Sequence, residues 1–395
     1  MSSASNRRRA TRAEPDGPPV ERSGRVWRIR SVDAARQVLR ARRATRQAGF
    51  TAEFVPKGFL KHHPILMSDG PLHDEQRSKV GRFFAPKVVA ERYAGLMDAA
   101  ASARIDALVG EFDLAEVALS YSVEVTAEVV GLTHSDVEKM ARRLVTFFRQ
   151  PPADLTRPDL GRSPRQWLQA AVNGLVPIVR FHLADVRPAL RAHRRTPADD
   201  IIGHLIAQGY TNADILVECV TFGTAGMVTT REFIAMAVWH LLTDAALAGR
   251  FRDGTQAERL AILNEIIRLE PVVGHLYRRV TEPLEVTCPA ETVTLAPGDL
   301  IDVCVRAANA DPETVGPDPL ALRPGRELPP GVDASVLTFG DGAHRCPGQP
   351  LALLAADALL TRLLARAPVV VREPTLGWDD LIEGYTLRDF VLRVG

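Results

Sequence analysis

The stretch Phe339-Gly340-Asp341-Gly342-Ala343-His344-Arg345-Cys346-Pro347-Gly348 constrains this chain more than any other. A cysteine closes a glycine-rich, turn-forming loop, and the apolar run Leu351 to Ala365 behind it predicts a long buried helix. Gly340, Gly342 and Gly348 admit backbone conformations and close approaches that a β-carbon forbids. A thiolate near a helix N-terminus is stabilised by the helix dipole and by unpaired amide donors, which suits a soft anionic ligand for a metal. On these residues alone, an ordinary loop cysteine serves as well.

Length and charge narrow the field. With 395 residues the chain can bury a large core, and a net charge of +1 gives no support for nucleic acid or an anionic membrane as partner. The four cysteines, Cys219, Cys288, Cys304 and Cys346, lie far apart without paired metal spacing or a disulfide framework. That suits a reducing cytoplasm. No apolar run reaches the ~20 residues a membrane span needs, and nothing resembles a signal peptide, so a cytoplasmic protein is expected.

Residues 1–24, with Arg7-Arg8-Arg9 and prolines at 15, 18 and 19, read as a disordered polar tail. Order is expected from Arg25, as one domain over 25–395. Val26–Ile29 alternates like a strand, and Ser31 reads as the N-cap of a helix Val32–Arg40. Residues 41–69 form an irregular stretch with scattered aromatics, the kind of loop that lines ligand sites. His73 and Arg77, four apart, share one face of the next helix. Helices follow to about 147, then a loop 150–163 and an amphipathic helix 164–193. Thr211–Thr243 is apolar around its whole circumference, so it is expected to be buried. Its middle, Ala225-Gly226-Met227-Val228-Thr229-Thr230, has small residues against which something flat can pack, and threonines that can back-bond to carbonyls. Glu265 and Arg268 are three apart on one helix, and short strands follow from about His275.

The loop's pattern, Phe-Gly-x-Gly-x-His-x-Cys-x-Gly, resembles the haem-binding loop of the cytochrome P-450 family, with all its specified residues in place. The resemblance spans about residues 25–395 and implies a mainly α fold with a smaller β region. A haem b would lie between the long central helix and the cysteine loop. It implies that Cys346 is the axial thiolate on iron, and that Phe339, Gly340, His344 and Gly348 shape the cofactor loop. His73, Arg77 and Arg278, with His344, would hold the propionates (Arg279 if the register slips by one). Ala225 and Gly226 would border the distal haem face, and Thr229 would be the catalytic threonine. Glu265, Arg268 and Arg326 would form a structural network behind the loop.

Two departures stand out. Val228 occupies the family's usual acid position, where proton delivery needs a titratable group or a water chain; Glu232 is the nearest substitute. Leu351-Ala352-Leu353 replaces the family's Leu-Ala-Arg after the cysteine loop, which bears on how an electron donor docks. The loop and helix over 150–193 would form the lid of the site, and Tyr385-Thr386 would point into the pocket. The implied activity is O2-dependent monooxygenation of a small-molecule secondary metabolite, free or carrier-protein-bound, with electrons from a separate ferredoxin and ferredoxin reductase. Loss of the distal acid points alternatively to oxidative coupling, cyclisation or peroxide-type chemistry. A non-catalytic haem-binding or recruitment domain is the third reading.

Overall fold

The computed structural model describes residues 7–11, 17–49, 62–157, 160–288 and 291–395. Several of its helices begin where side chains satisfy the unpaired amides of a first turn. Ser31 Oγ accepts from Ala34 N at 3.3 Å and opens α1 (Val32–Arg40). The helices that build the site follow as α2 (Gly70–Gly81), α3 (Leu114–Val130), α4 (Val137–Val145) and α5 (Pro164–Phe181). After them come α6 (Asn212–Phe222), α7 (Thr229–Leu242), α8 (Gln256–Leu269) and α9 (Gln349–Ala365). Ser163, Thr211 and Thr255 each form a reciprocal capping box with the residue three positions on, starting α5, α6 and α8.

Residues 231–238 of α7 are all buried, and α7 packs on α3, α8 and α9, which gives the wholly apolar stretch its place at the centre. Between α6 and α7 the chain makes one π-helical segment, Gly223–Val228. Such segments occur often at functional sites. A Cβ at Gly223 would lie 2.9 Å from Leu144 of α4, so this segment and α4 approach closely. In turn α5 packs on α4, forming the outermost layer above the π segment.

A five-stranded sheet sits to one side. Its strands are β1 (Val20–Ser23), β2 (Val26–Ile29), β3 (Thr45–Ala48), β4 (His275–Val280) and β5 (Leu300–Cys304), in the order β1-β2-β5-β4-β3. Only β2 and β5 pair in parallel. A hairpin of β6 (Thr375–Asp379) and β7 (Gly384–Arg388) approaches α7.

One expectation is corrected. Order begins before Arg25: β1 pairs with β2, and the arginine run is docked rather than solvated. Arg8 Nε donates to Leu269 O at 2.7 Å, Ala10 N to Glu270 Oε2 at 3.3 Å, and Arg306 Nη1 to Ala10 O at 2.9 Å. Glu270 is fully buried, and a buried carboxylate requires such donors. The helix expected over 164–193 does form, as α5 and further helical turns to Arg195; Leu168, Val172, Leu175 and Val179 of α5 are 46–69% exposed, while Val186, Ala189 and Leu190 beyond it are buried.

Candidate active site

The cysteine loop is held by a chain of buried hydrogen bonds that begins on α8. Glu265 grips Arg268 through two contacts of 2.7 Å and takes Arg326 Nε at 3.2 Å, so the three residues expected to form a network do meet. Arg268 Nη1 donates to Asn309 O at 2.6 Å, and Asn309 Oδ1 accepts from Leu337 N at 2.9 Å. Thr338, held by Asn309 at 2.8 Å, leads into Phe339, whose carbonyl takes Cys346 N at 2.8 Å. The network therefore fixes both ends of the loop. Gly340 and Gly342 adopt φ of 71° and 68°, and a Cβ at Gly342 would lie 2.2 Å from Leu39 O.

Cys346 is exposed, yet it stands amid enough protein that desolvation raises its thiol pKa. Backbone amides of Gly348 and Gln349 at the start of α9, and the guanidiniums of Arg77 and Arg345, act in the opposite direction. A sulfur partly stripped of water but open on one side suits coordination to a soft metal centre.

Basic groups gather beside it. The His73 and His344 rings lie 4.1 Å apart, and burial, then His344 and Arg77, push His73 down to about 4. Arg77 donates to Arg345 O, and desolvation lowers its pKa while Cys346 opposes that shift. Arg278 is 4% exposed and pushed down to about 10 by burial; it reaches Gln47 Oε1 at 2.5 Å. The register β3–β4 sends Arg279 to the other face, so Arg278 is the one that joins the group. A counter-charge is supplied by Asp69, 3.0 Å from His344 Nε2. Asp69 was missed by sequence reasoning. It stands as the N-cap of α2 but makes no side-chain cap, and spends its oxygens on His344 and Gln47 N instead.

On the helix side, Ala225 is exposed and Thr229 half-exposed, although Met227, Val228 and Thr230 beside them are buried. Open space faces these two. Thr229 donates to Ala225 O, and Thr230 to Gly226 O at 2.6 Å. Gly226 meets Thr126 of α3, where an added Cβ would lie 3.2 Å from the threonine methyl, so its smallness serves helix packing. Val228 is 4% exposed. Glu232 is excluded as its substitute: it is 1% exposed, and takes Arg231 Nη2 at 2.6 Å, Arg388 Nη1 at 2.8 Å and Leu387 N at 2.9 Å. Tyr385 also does not reach the site; it is fully buried and donates to Glu270 O at 3.3 Å. The aromatics over 50–60 lie outside the described residues. An exposed sulfur with helix amides behind it, two arginines and two imidazoles with one carboxylate, and small residues on the helix side together fit a flat, dianionic haem.

The family model of cytochrome P-450 matches residues 260–375. The monooxygenase PikC of Streptomyces venezuelae is 27% identical over 350 residues, covering 87% of this chain and 78% of PikC. Among solved structures, a mutant of EryK in complex with erythromycin B superposes with TM-score 0.77 at 23% identity, covering 95% of this chain and 93% of that one. BioI, in complex with an acyl carrier protein ligated to hexadec-9Z-enoic acid, gives TM-score 0.75 at 19% identity over 93% of this chain and 92% of that one. Both structures show the same fold. By these matches the chain is similar to the cytochrome P-450 family, enzymes that carry haem on a cysteine thiolate.

Proposed function

We propose that this protein is a monooxygenase that tailors a small secondary metabolite: O2, two electrons from a ferredoxin and two protons convert a C–H bond to C–OH and release water. The observation that carries this reading is the convergence of His73, Arg77, Arg278 and His344 beside Cys346, with Ala225 and Thr229 left uncovered on the central helix. Haem, when bound, supplies the activation of oxygen. The chain supplies the rest. Cys346 would give the thiolate; burial raises its thiol, and the Gly348 and Gln349 amides with Arg77 oppose that rise. The four basic groups would pair with the propionates. Thr229, its proton engaged by Ala225 O, keeps two lone pairs to hold a water and orient its protons. Substrate tailoring by PikC and EryK relatives, the carrier-bound ligand of BioI, ferredoxin as donor and a cytoplasmic setting all come to this chain by analogy. Among the described residues no single helix is long and apolar enough to cross a membrane.

Val228 and the captive Glu232 favour one second reading, oxidative coupling or cyclisation, in which distal proton delivery matters less. The deciding experiment is a Soret titration of the purified haem protein with a chemically diverse metabolite panel, followed by turnover with ferredoxin and its reductase. A low-spin to high-spin shift and oxygenated product are expected. Product with a new bond and no added oxygen supports the second reading, and absence of a haem-thiolate spectrum overturns both. Val228→Asp places an unpartnered carboxyl at a buried position, so it is expected to lower Tm without improving coupling.

A further inference from the structure

Three donors of different chemistry share the face of the sheet that Arg278 turns away from. In β4 and β5, His275 stands opposite Cys304 and Tyr277 opposite Asp302, so all four side chains leave one side, while Leu276 and Arg278 leave the other. His275 Nδ1 lies 2.6 Å from Asp302 Oδ1, and donor atoms of His275, Asp302 and Cys304 all fall within 4.8 Å of one another. Asp302 and Cys304 are 7% and 6% exposed, and the His275 side chain keeps 17%, which leaves an approach from the surface. On the far side of the imidazole, Glu383 Oε2 stands 3.9 Å from His275 Nε2 and is itself fixed by Tyr277 OH at 3.1 Å. Arg30, the other cation near Cys304, is engaged by Glu21 at 2.8 Å.

One imidazole nitrogen, one thiol sulfur and one carboxylate oxygen, held on paired strands, form a donor set for a borderline metal. The sulfur disfavours Mg2+ and Ca2+. We propose that His275, Asp302 and Cys304 form a three-ligand site for a zinc-type divalent cation, separate from the haem, with a water as fourth ligand. Glu383 acts as the outer carboxylate that orients the imidazole, a recurrent partner of metal-bound histidine. Tetrahedral zinc, with bonds of about 2.0–2.3 Å, needs donors about 3.2–3.8 Å apart, so the His275–Asp302 contact opens by roughly 1 Å as the ion enters. The ion replaces two protons, one between His275 and Asp302 and one on the Cys304 thiol. Imidazolium, carboxylate and thiol sum to the same charge as Zn2+, imidazole, carboxylate and thiolate, so no net charge is added to a buried place. Because Glu383 lies between β6 and β7, occupancy would tie that hairpin to the sheet.

The test uses haem-loaded protein and Zn2+ alone. After incubation and desalting, elemental analysis is expected to show about one zinc per haem iron in the wild type and in Cys288→Ser. Cys304→Ser is expected to lose it with its Soret spectrum intact, and Glu383→Gln to bind about tenfold more weakly. Binding in weak buffer should release about two protons per zinc. Should Cys304→Ser not fold, alkylation of the wild type replaces it: zinc is expected to protect Cys304 and leave Cys288 reactive. No retained zinc, equal zinc in Cys304→Ser, or unprotected Cys304 overturns the site.

Discussion

The two regions proposed to face the haem are built on different principles. On the Cys346 side, function is written in charged side chains: a thiol, four basic groups, and an acid–arginine network that fixes the loop from behind. On the Thr229 side it is written in backbone, as a π-helical segment, two threonines turned onto carbonyls and one exposed alanine. The only carboxylate close in sequence, Glu232, is spent on holding β7 to α7. The charged side can be dismantled one residue at a time. The backbone side resists this, because its titratable neighbours are structural.

The largest effect is expected from Glu265→Gln. It leaves fully buried Arg268 and nearly buried Arg326 without their shared carboxylate, at a cost of about 3–5 kcal/mol. Because Asn309 links this network to Leu337 and Thr338, haem retention should fall with Tm. A variant that loses Tm but keeps haem would separate the two.

Glu232→Gln addresses the other side. It leaves buried Arg231 without its carboxylate and should lower stability by about 2–3 kcal/mol, measured by denaturant unfolding. The solvent isotope effect and the fraction of electrons reaching product should not change. A change in either would return Glu232 to proton delivery and erase the contrast between the two sides.

Much of the first side was legible in the sequence, because its chemistry depends on residue types at fixed spacing. His73 and Arg77 lie one helical turn apart, and the loop pattern carries Cys346 and His344. Ser31 was equally plain as a helix start, since an N-cap is a local interaction. What escaped reading depends on partners distant in sequence. Asp69 looks like a cap, yet meets His344, 275 residues away. Arg8 and Arg9 look like a solvated tail until Glu270 is seen buried beneath them. Tyr385 looked like a pocket residue because strand alternation cannot say which face another element will cover.

Arg77→Gln tests the charged side more gently. The loss of one charge-assisted contact should speed haem transfer to an acceptor apoprotein about tenfold, roughly 1.4 kcal/mol, with the thiolate spectrum unchanged. If transfer is no faster, the remaining basic groups suffice for the propionates and Arg77 serves Arg345 O and the Cys346 field alone.

A last test concerns the strap between the two sides. Residues 62–68 lead into α2, and two acids of α6 hold them: Asp214 takes His62 N at 3.2 Å and lies 3.0 Å from its Nδ1, while Glu218 Oε1 takes Ile65 N at 3.0 Å. Glu218 is 4% exposed, and its Oε2 has no partner. Burial pushes this carboxyl up to about 8; the Ile65 amide opposes the shift, and Asp214 adds to it. The folded chain thus holds a proton that the unfolded chain releases near an ordinary glutamate pKa. The stability it contributes is complete below that value and is lost as pH rises through about 8. Glu218→Gln keeps the acceptor for Ile65 and removes the titration. Its unfolding free energy relative to wild type should therefore rise between pH 5 and pH 9. A difference that stays flat across that range would mean the carboxylate is already ionised in the fold. The strap would then be held by charge, like the Cys346 side, rather than by a neutral acid.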